Sequence, residues 1–150
     1  MSDAADSELK LGPTARISIV RSDADELEVE ATYAAGSQPP PNHFHPAQDE
    51  EFEILQGSMQ VRIGGGPEKT LREGETLEVP RGTQHTMWNG ADVPARTRWI
   101  TRPAGRTEGW FRTLDSFQRR AEAGVSVEPA EYTTAFEEYQ DVFRLAPPPS

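Results

Sequence analysis

Between Ala15 and about Arg102 the chain alternates apolar and polar positions in short runs cut by Gly and Pro. Leu27, Val29, Ala31 and Tyr33 interleave with Glu26, Glu28, Glu30 and Thr32, the period of a strand with one buried face. Met59, Val61 and Ile63 interleave with Ser58, Gln60 and Arg62 until Gly64, Gly65, Gly66 and Pro67 turn the chain. Leu77 and Val79 alternate with Thr76 and Glu78 before Pro80, and Ala95 to Thr101, around Trp99, reads as a further strand. Strands recurring at roughly ten-residue spacing predict an all-β sandwich or barrel and argue against a βαβ fold.

After Gly109 the period changes. Trp110, Leu114 and Phe117 stand at helical spacing with Gly124 as a stop signal. Pro129 opens a second helix, along which Tyr132, Phe136, Tyr139 and Phe143 keep the same spacing. Aromatic stripes of this kind either line a ligand pocket or pack a helix on its domain. The second reading is taken here, with the helices outside the barrel and contributing no metal ligand. The resulting plan is a flexible acidic start over 1–13, a barrel over 14–104, packed helices over 105–146 and a tail over 147–150.

Composition narrows the partners. At 150 residues the chain holds one domain's worth of core. Its net charge is −10, with −2 in residues 1–13, −4 in residues 128–150 and −4 between them. Nucleic acid and anionic membranes need clustered positive charge, so neither is expected as a partner and a small molecule is. Cysteine is absent, which removes disulfides, thiolate metal sites and cysteine nucleophiles together. No apolar run reaches the roughly 18 residues of a membrane span, and the acidic, polar opening does not read as a signal peptide. The expected compartment is the cytoplasm.

The chain has three histidines, His43, His45 and His85. His43 and His45 are two apart, so a strand presents both imidazoles on one face with Phe44 on the other, behind the stiff lead-in of Pro39, Pro40 and Pro41. Paired imidazoles suit a metal ion, each offering a nitrogen at about 2.0–2.1 Å in a zinc-type site. Further on, Glu50, Phe52 and Ile54 share one face while Glu51, Glu53 and Leu55 share the other. A carboxylate beside Phe52 and Ile54 points inward, where it is costly unless paired or metal-bound, and this selects Glu50 as the oxygen ligand. His85, Met87 and Asn89 alternate onto one face after the turn at Pro80 and Gly82, and the returning strand can bring His85 beside the pair.

These residues carry a resemblance. Gly36, His43, His45, Glu50 and Gly57 resemble the first motif of the cupin superfamily, with one extra residue between Gly36 and His43. Gly74, Pro80, Gly82, His85 and Asn89 are similar to its second motif at every position. The resemblance covers roughly Ala15 to Arg102 and leaves the segment from Gly105 onward unexplained. It implies a double-stranded β-helix, a jelly-roll-like barrel, usually a homodimer, holding one divalent metal through His43, His45, Glu50 and His85. Asn89 is read as a turn and interior-packing residue.

Without sulfur, three imidazoles and a carboxylate suit Fe, Mn, Ni, Co or Zn and leave positions open for a ligand. A redox ion leads to a dioxygenase, and a non-redox ion to a Lewis-acid isomerase, lyase or cyclase, with Glu50 available as a general base. The alternative is a metal-bearing binding or sensor protein without turnover. Candidate substrate-binding residues are Tyr33, Phe52, Ile54, Met87 and Trp99. Trp99 depends on the facing of its strand, because flipping it would turn Arg96, Arg98 and Arg102 inward and select an anionic ligand.

Overall fold

The computed structural model describes residues 8–146. Eleven strands and two helices are present among them. The strands are β1 (Glu8–Lys10), β2 (Ala15–Ser22), β3 (Leu27–Tyr33), β4 (His43–Phe44), β5 (Asp49–Gln56), β6 (Ser58–Ile63), β7 (Lys69–Arg72), β8 (Thr76–Val79), β9 (His85–Trp88), β10 (Ala95–Arg102) and β11 (Arg144–Leu145). The helices are α1 (Thr107–Glu122) and α2 (Pro129–Glu138).

The alternation in the sequence becomes two antiparallel sheets, ordered β1-β2-β3-β10-β5-β8 and β11-β4-β9-β6-β7. In β3, Leu27, Val29 and Ala31 are buried while the intervening glutamates stay partly exposed. In β10 the inward set is Ala95, Thr97, Trp99 and Thr101, and Arg96, Arg98 and Arg102 are exposed. Those arginines pair outside the barrel with Glu30, Glu53, Glu26 and Glu51. The strand therefore faces Trp99 inward, and the arginines stay out of the interior. Gly57 turns β5 into β6 with φ of 78°, and a Cβ there would stand 2.8 Å from the Pro94 carbonyl oxygen. Only glycine meets both demands.

Three expectations need correction. Residues 8–13 do not fray: β1 pairs with β2, and Leu9 is buried in the main core cluster. The hydrophobic effect on Leu9 outweighs the acidity of its surroundings. Residues 1–7 and the tail 147–150 lie outside the described residues. The second helix ends at Glu138 and does not run to Phe143. Its last turn closes with the Tyr139 amide bonding the Ala135 carbonyl; in a further turn the Val142 and Phe143 amides bond the Tyr139 carbonyl, after which β11 pairs with β4. Beyond the helix Val142 is buried in the main core cluster.

The third correction concerns the helices' place. Trp110, Phe111, Leu114 and Phe136 pack on the barrel and also wall an open cavity, so the stripes serve both purposes that the sequence reading set against each other. Arg120 of α1 holds the Glu131 carboxylate of α2 at 2.6 and 3.0 Å, joining the two helices into one arm. Among the described residues no helix is long and apolar enough to cross a membrane.

Candidate metal centre

β4 has only two residues, and its register does the essential work. His43 lies directly opposite His85 of β9, with ring centroids 4.4 Å apart. His45 follows just beyond the strand, its ring centroid 5.1 Å from that of His43 and 5.5 Å from that of His85. One ring nitrogen from each of the three lies within 4.8 Å of the others. Glu50 enters from the opposite sheet with Oε1 2.9 Å from His45 Nε2 and 3.1 Å from His85 Nε2. Three imidazoles from two distant stretches of sequence thus cluster, and Glu50 meets two of them, His45 and His85.

Each imidazole has its Nδ1 near a backbone carbonyl oxygen. The partners are Pro41 for His43 at 3.4 Å, Val142 for His45 at 2.7 Å and Thr83 for His85 at 3.0 Å. An Nδ1–H donated outward leaves Nε2 free for a metal, the orientation that metal-binding histidines share. Glu50 is positioned in the same manner: the Trp99 indole N–H donates to Oε2 at 2.6 Å, leaving Oε1 toward the histidines. His45 Nε2 and Glu50 Oε1 are buried and close, yet neither has a well-directed hydrogen-bond partner. Two such orphaned atoms facing one point fit a bound cation, which would satisfy both.

The electrostatics of His43 and Glu50 agree with that fit, while those of His45 favour its protonated form until a cation displaces the proton. Burial, reinforced by repulsion from His85 and His45, pushes His43 down to about 3 and keeps its imidazole neutral, as a ligand must be. Burial also acts to raise Glu50, but His45 and His85 override it and hold the carboxyl ionised, well below the usual range. Burial lowers His45, and the Glu50 carboxylate with the Val142 carbonyl more than offsets this, for a net rise. Tyr33 is pushed up by burial and the nearby Glu50 charge, so its hydroxyl keeps its proton.

The cluster opens on a cavity of about 460 Å³. Tyr33, Phe52, Met87 and Trp99 line it, together with all three histidines. Ile54 does not. It is 1% exposed and packs with Met59 and Ala95 behind the wall. Asn89 is fully buried and hydrogen-bonds the backbone of Tyr33, Ala91 and Val93.

Sequence reasoning missed most of the wall. Trp110, Phe111, Leu114, Phe136 and Phe143 close the cavity from the C-terminal side, and Leu11 to Ala15 contribute an edge. The signal for the first group was present in the aromatic stripes. The Val142 carbonyl, being backbone, left no signal at all. Among the described residues, no Asp, Glu, Lys or Arg lines the cavity.

The family model for the Cupin domain matches residues 29–101, the stretch that supplies all four converging side chains. The barrel is a cupin domain. Over 54 residues, 36% of this chain and 36% of the relative, it is 41% identical to the tetracenomycin polyketide synthase protein TcmJ of Streptomyces glaucescens. It is also 41% identical over 59 residues to the probable oxidoreductase yanE of Aspergillus niger, covering 39% of this chain and 23% of that protein. The chain therefore spans little more than a third, at most, of these curated relatives. In fold it is similar to the polyketide cyclase RemF of Streptomyces resistomycificus, with a TM-score of 0.58 at 18% identity over 68% of this chain and 78% of that one. The helical arm lies beyond the end of the matched cupin domain.

Proposed function

We propose that this cupin is an enzyme that holds one divalent ion through His43, His45, Glu50 and His85 and acts on an uncharged, aromatic, oxygen-bearing small molecule. The observation that carries the reading is the junction of the cluster with a cavity whose walls are aromatic and free of charged side chains. Such walls favour fused or stacked rings and give no partner to a phosphate or an ammonium group. Ligand oxygens would be recognised at the ion, whose charge with Glu50 sums to one positive unit.

When bound, the ion would polarise a keto or phenol oxygen or, if redox-active, bring oxygen to the substrate. The residues do the rest. Phe52, Trp99, Trp110 and Phe143 enclose the ring system and exclude water. Glu50, steadied by Trp99, sits behind the cavity wall against His45 and His85, where its ionised oxygen would offset the ion's charge and could take a proton only by way of the ion's ligand shell. Tyr33 stays protonated and can donate a hydrogen bond to a developing oxyanion. The similarity to a polyketide synthase protein, a polyketide cyclase and an oxidoreductase supports cyclisation or oxidation of a polyketide-like substrate.

The test is elemental analysis of untagged protein beside His43→Ala and His85→Ala, followed by incubation of the metal-loaded protein with polycyclic phenols and β-diketones. Metal retained by the wild type and lost by both variants, with new product by mass spectrometry, is the expected result. Oxygen consumption separates oxidation from cyclisation. Tight ligand binding without product would favour a binding module, and no metal in any preparation would overturn the reading.

A further inference from the structure

Of the three imidazoles, two are oriented by their own neighbourhood: His43 by the Pro41 carbonyl and His85 by the Thr83 carbonyl, each two residues away. His45 is different. Its Nδ1 bonds the Val142 carbonyl, 97 residues along the chain, at 2.7 Å. The next residue, Phe143, stacks on the His43 ring with centroids 4.9 Å apart and planes 20° from parallel. Leu145 then pairs with His43 in the β11–β4 ladder, and the Ala146 amide bonds the Asn42 carbonyl at 2.9 Å. Residues 142–146, from outside the matched domain, therefore grip two candidate ligands and the strand that carries them.

We propose that residues 142–145 are a positioning element of the metal centre, fixing the His45 and His43 rings so that their free nitrogens meet at the shared point. The inference rests on the metal reading above and deepens it. The grip is anchored from behind: Val142 is 1% exposed, and Phe143 stacks on Trp110 of α1 at 4.9 Å. Packing of the arm is thereby transmitted to the rings. A His45 ring without the Val142 acceptor is free to turn and to move its proton to Nε2, which cannot then bind a metal. Loss of such outer partners typically weakens metal binding about 10–100-fold.

The full-length Val142→Gly/Phe143→Ala variant removes the two side chains that anchor the segment, so that the backbone carbonyl on His45 is no longer held in place, and Phe117→Ala serves as control. Phe117 packs edge-on against Tyr132 within the arm and does not line the metal cavity. Two measurements are made. In metal-free protein, 15N-edited NMR follows the His45 Nδ1 proton, and titration then gives the affinities for Mn(II), Co(II) and Zn(II). The wild type and Phe117→Ala should show a His45 Nδ1 proton protected from exchange and equal affinities. The double variant should lose the protected proton and bind about 10–100-fold more weakly. If it does not fold, Phe143→Ala alone should weaken binding several-fold while Phe117→Ala does not. The proposal is overturned if the double variant keeps wild-type affinity, if Phe117→Ala loses as much, or if the wild type shows no protected proton. Wild-type protein that binds none of these ions overturns the metal reading instead, and the NMR result alone then decides whether the arm holds His45.

Discussion

Glu50 and Trp99 form a pair whose members depend on each other. The carboxylate is buried at 4% exposure, and the indole N–H occupies one of its oxygens. Trp99→Phe keeps most of the ring packing but removes that donor. Leaving a buried acceptor unpaired costs about 1–3 kcal/mol, which urea denaturation of the metal-free variant should register. The freed carboxylate should also lower divalent-metal affinity by about tenfold or more, measured by competition with a chromophoric chelator. Ile54 offers a contrast. Since it packs behind the cavity wall, Ile54→Ala should cost about 2–5 kcal/mol in stability through a new void. Phe52→Ala should instead widen the cavity itself, readable as altered affinity for ring compounds of different size.

Elements differ in how plainly the sequence announces them. β3 and β6 bury one face along six or seven residues, so period two is unmistakable. Parity also separated Glu50 from Glu51 and Glu53 without help from the structure. β4 is too short for any period, and only the histidine spacing marked it. The arm was legible as helices but not as a roof, because periodicity tells which face is apolar and not what that face covers. The arm also carries a pH dependence. The Arg120 guanidinium, aided by the Glu128 amide, holds Glu131 down at about 2, below its ordinary 4.5. A depressed carboxylate contributes stability that is fully present above the ordinary value and is lost as pH falls toward the depressed one. Between about 4.5 and 2 the joint of α1 and α2 should therefore loosen, visible as a change in near-ultraviolet circular dichroism from Trp110. Glu131→Gln should lower the melting temperature at neutral pH and flatten that part of the acid titration.

At the scale of the whole molecule, the metal reading makes a thermodynamic demand. An ion that binds only the folded protein stabilises it by about 2.7 kcal/mol at a hundredfold excess over its Kd. Calorimetry should show this rise with added Mn(II), Co(II) or Zn(II) for the wild type and not for His43→Ala. The arginine–glutamate pairs outside β3, β10 and β5 make a weaker one. Exposed pairs contribute about 0–1 kcal/mol each, so going from about 0.1 to 1 M salt, which shortens the screening length from roughly 10 to 3 Å, should change stability little.

The long separation between His45 and its carbonyl partner bears on the order of events during synthesis. Both motifs of the barrel precede Val142 in the chain and so leave the ribosome before it does. A nascent chain can thus have its imidazoles gathered while one of them still spins freely. If the proposed ion binds there, the looser cage of such a chain would discriminate less sharply between competing ions than the finished one, in which the Val142 carbonyl holds His45.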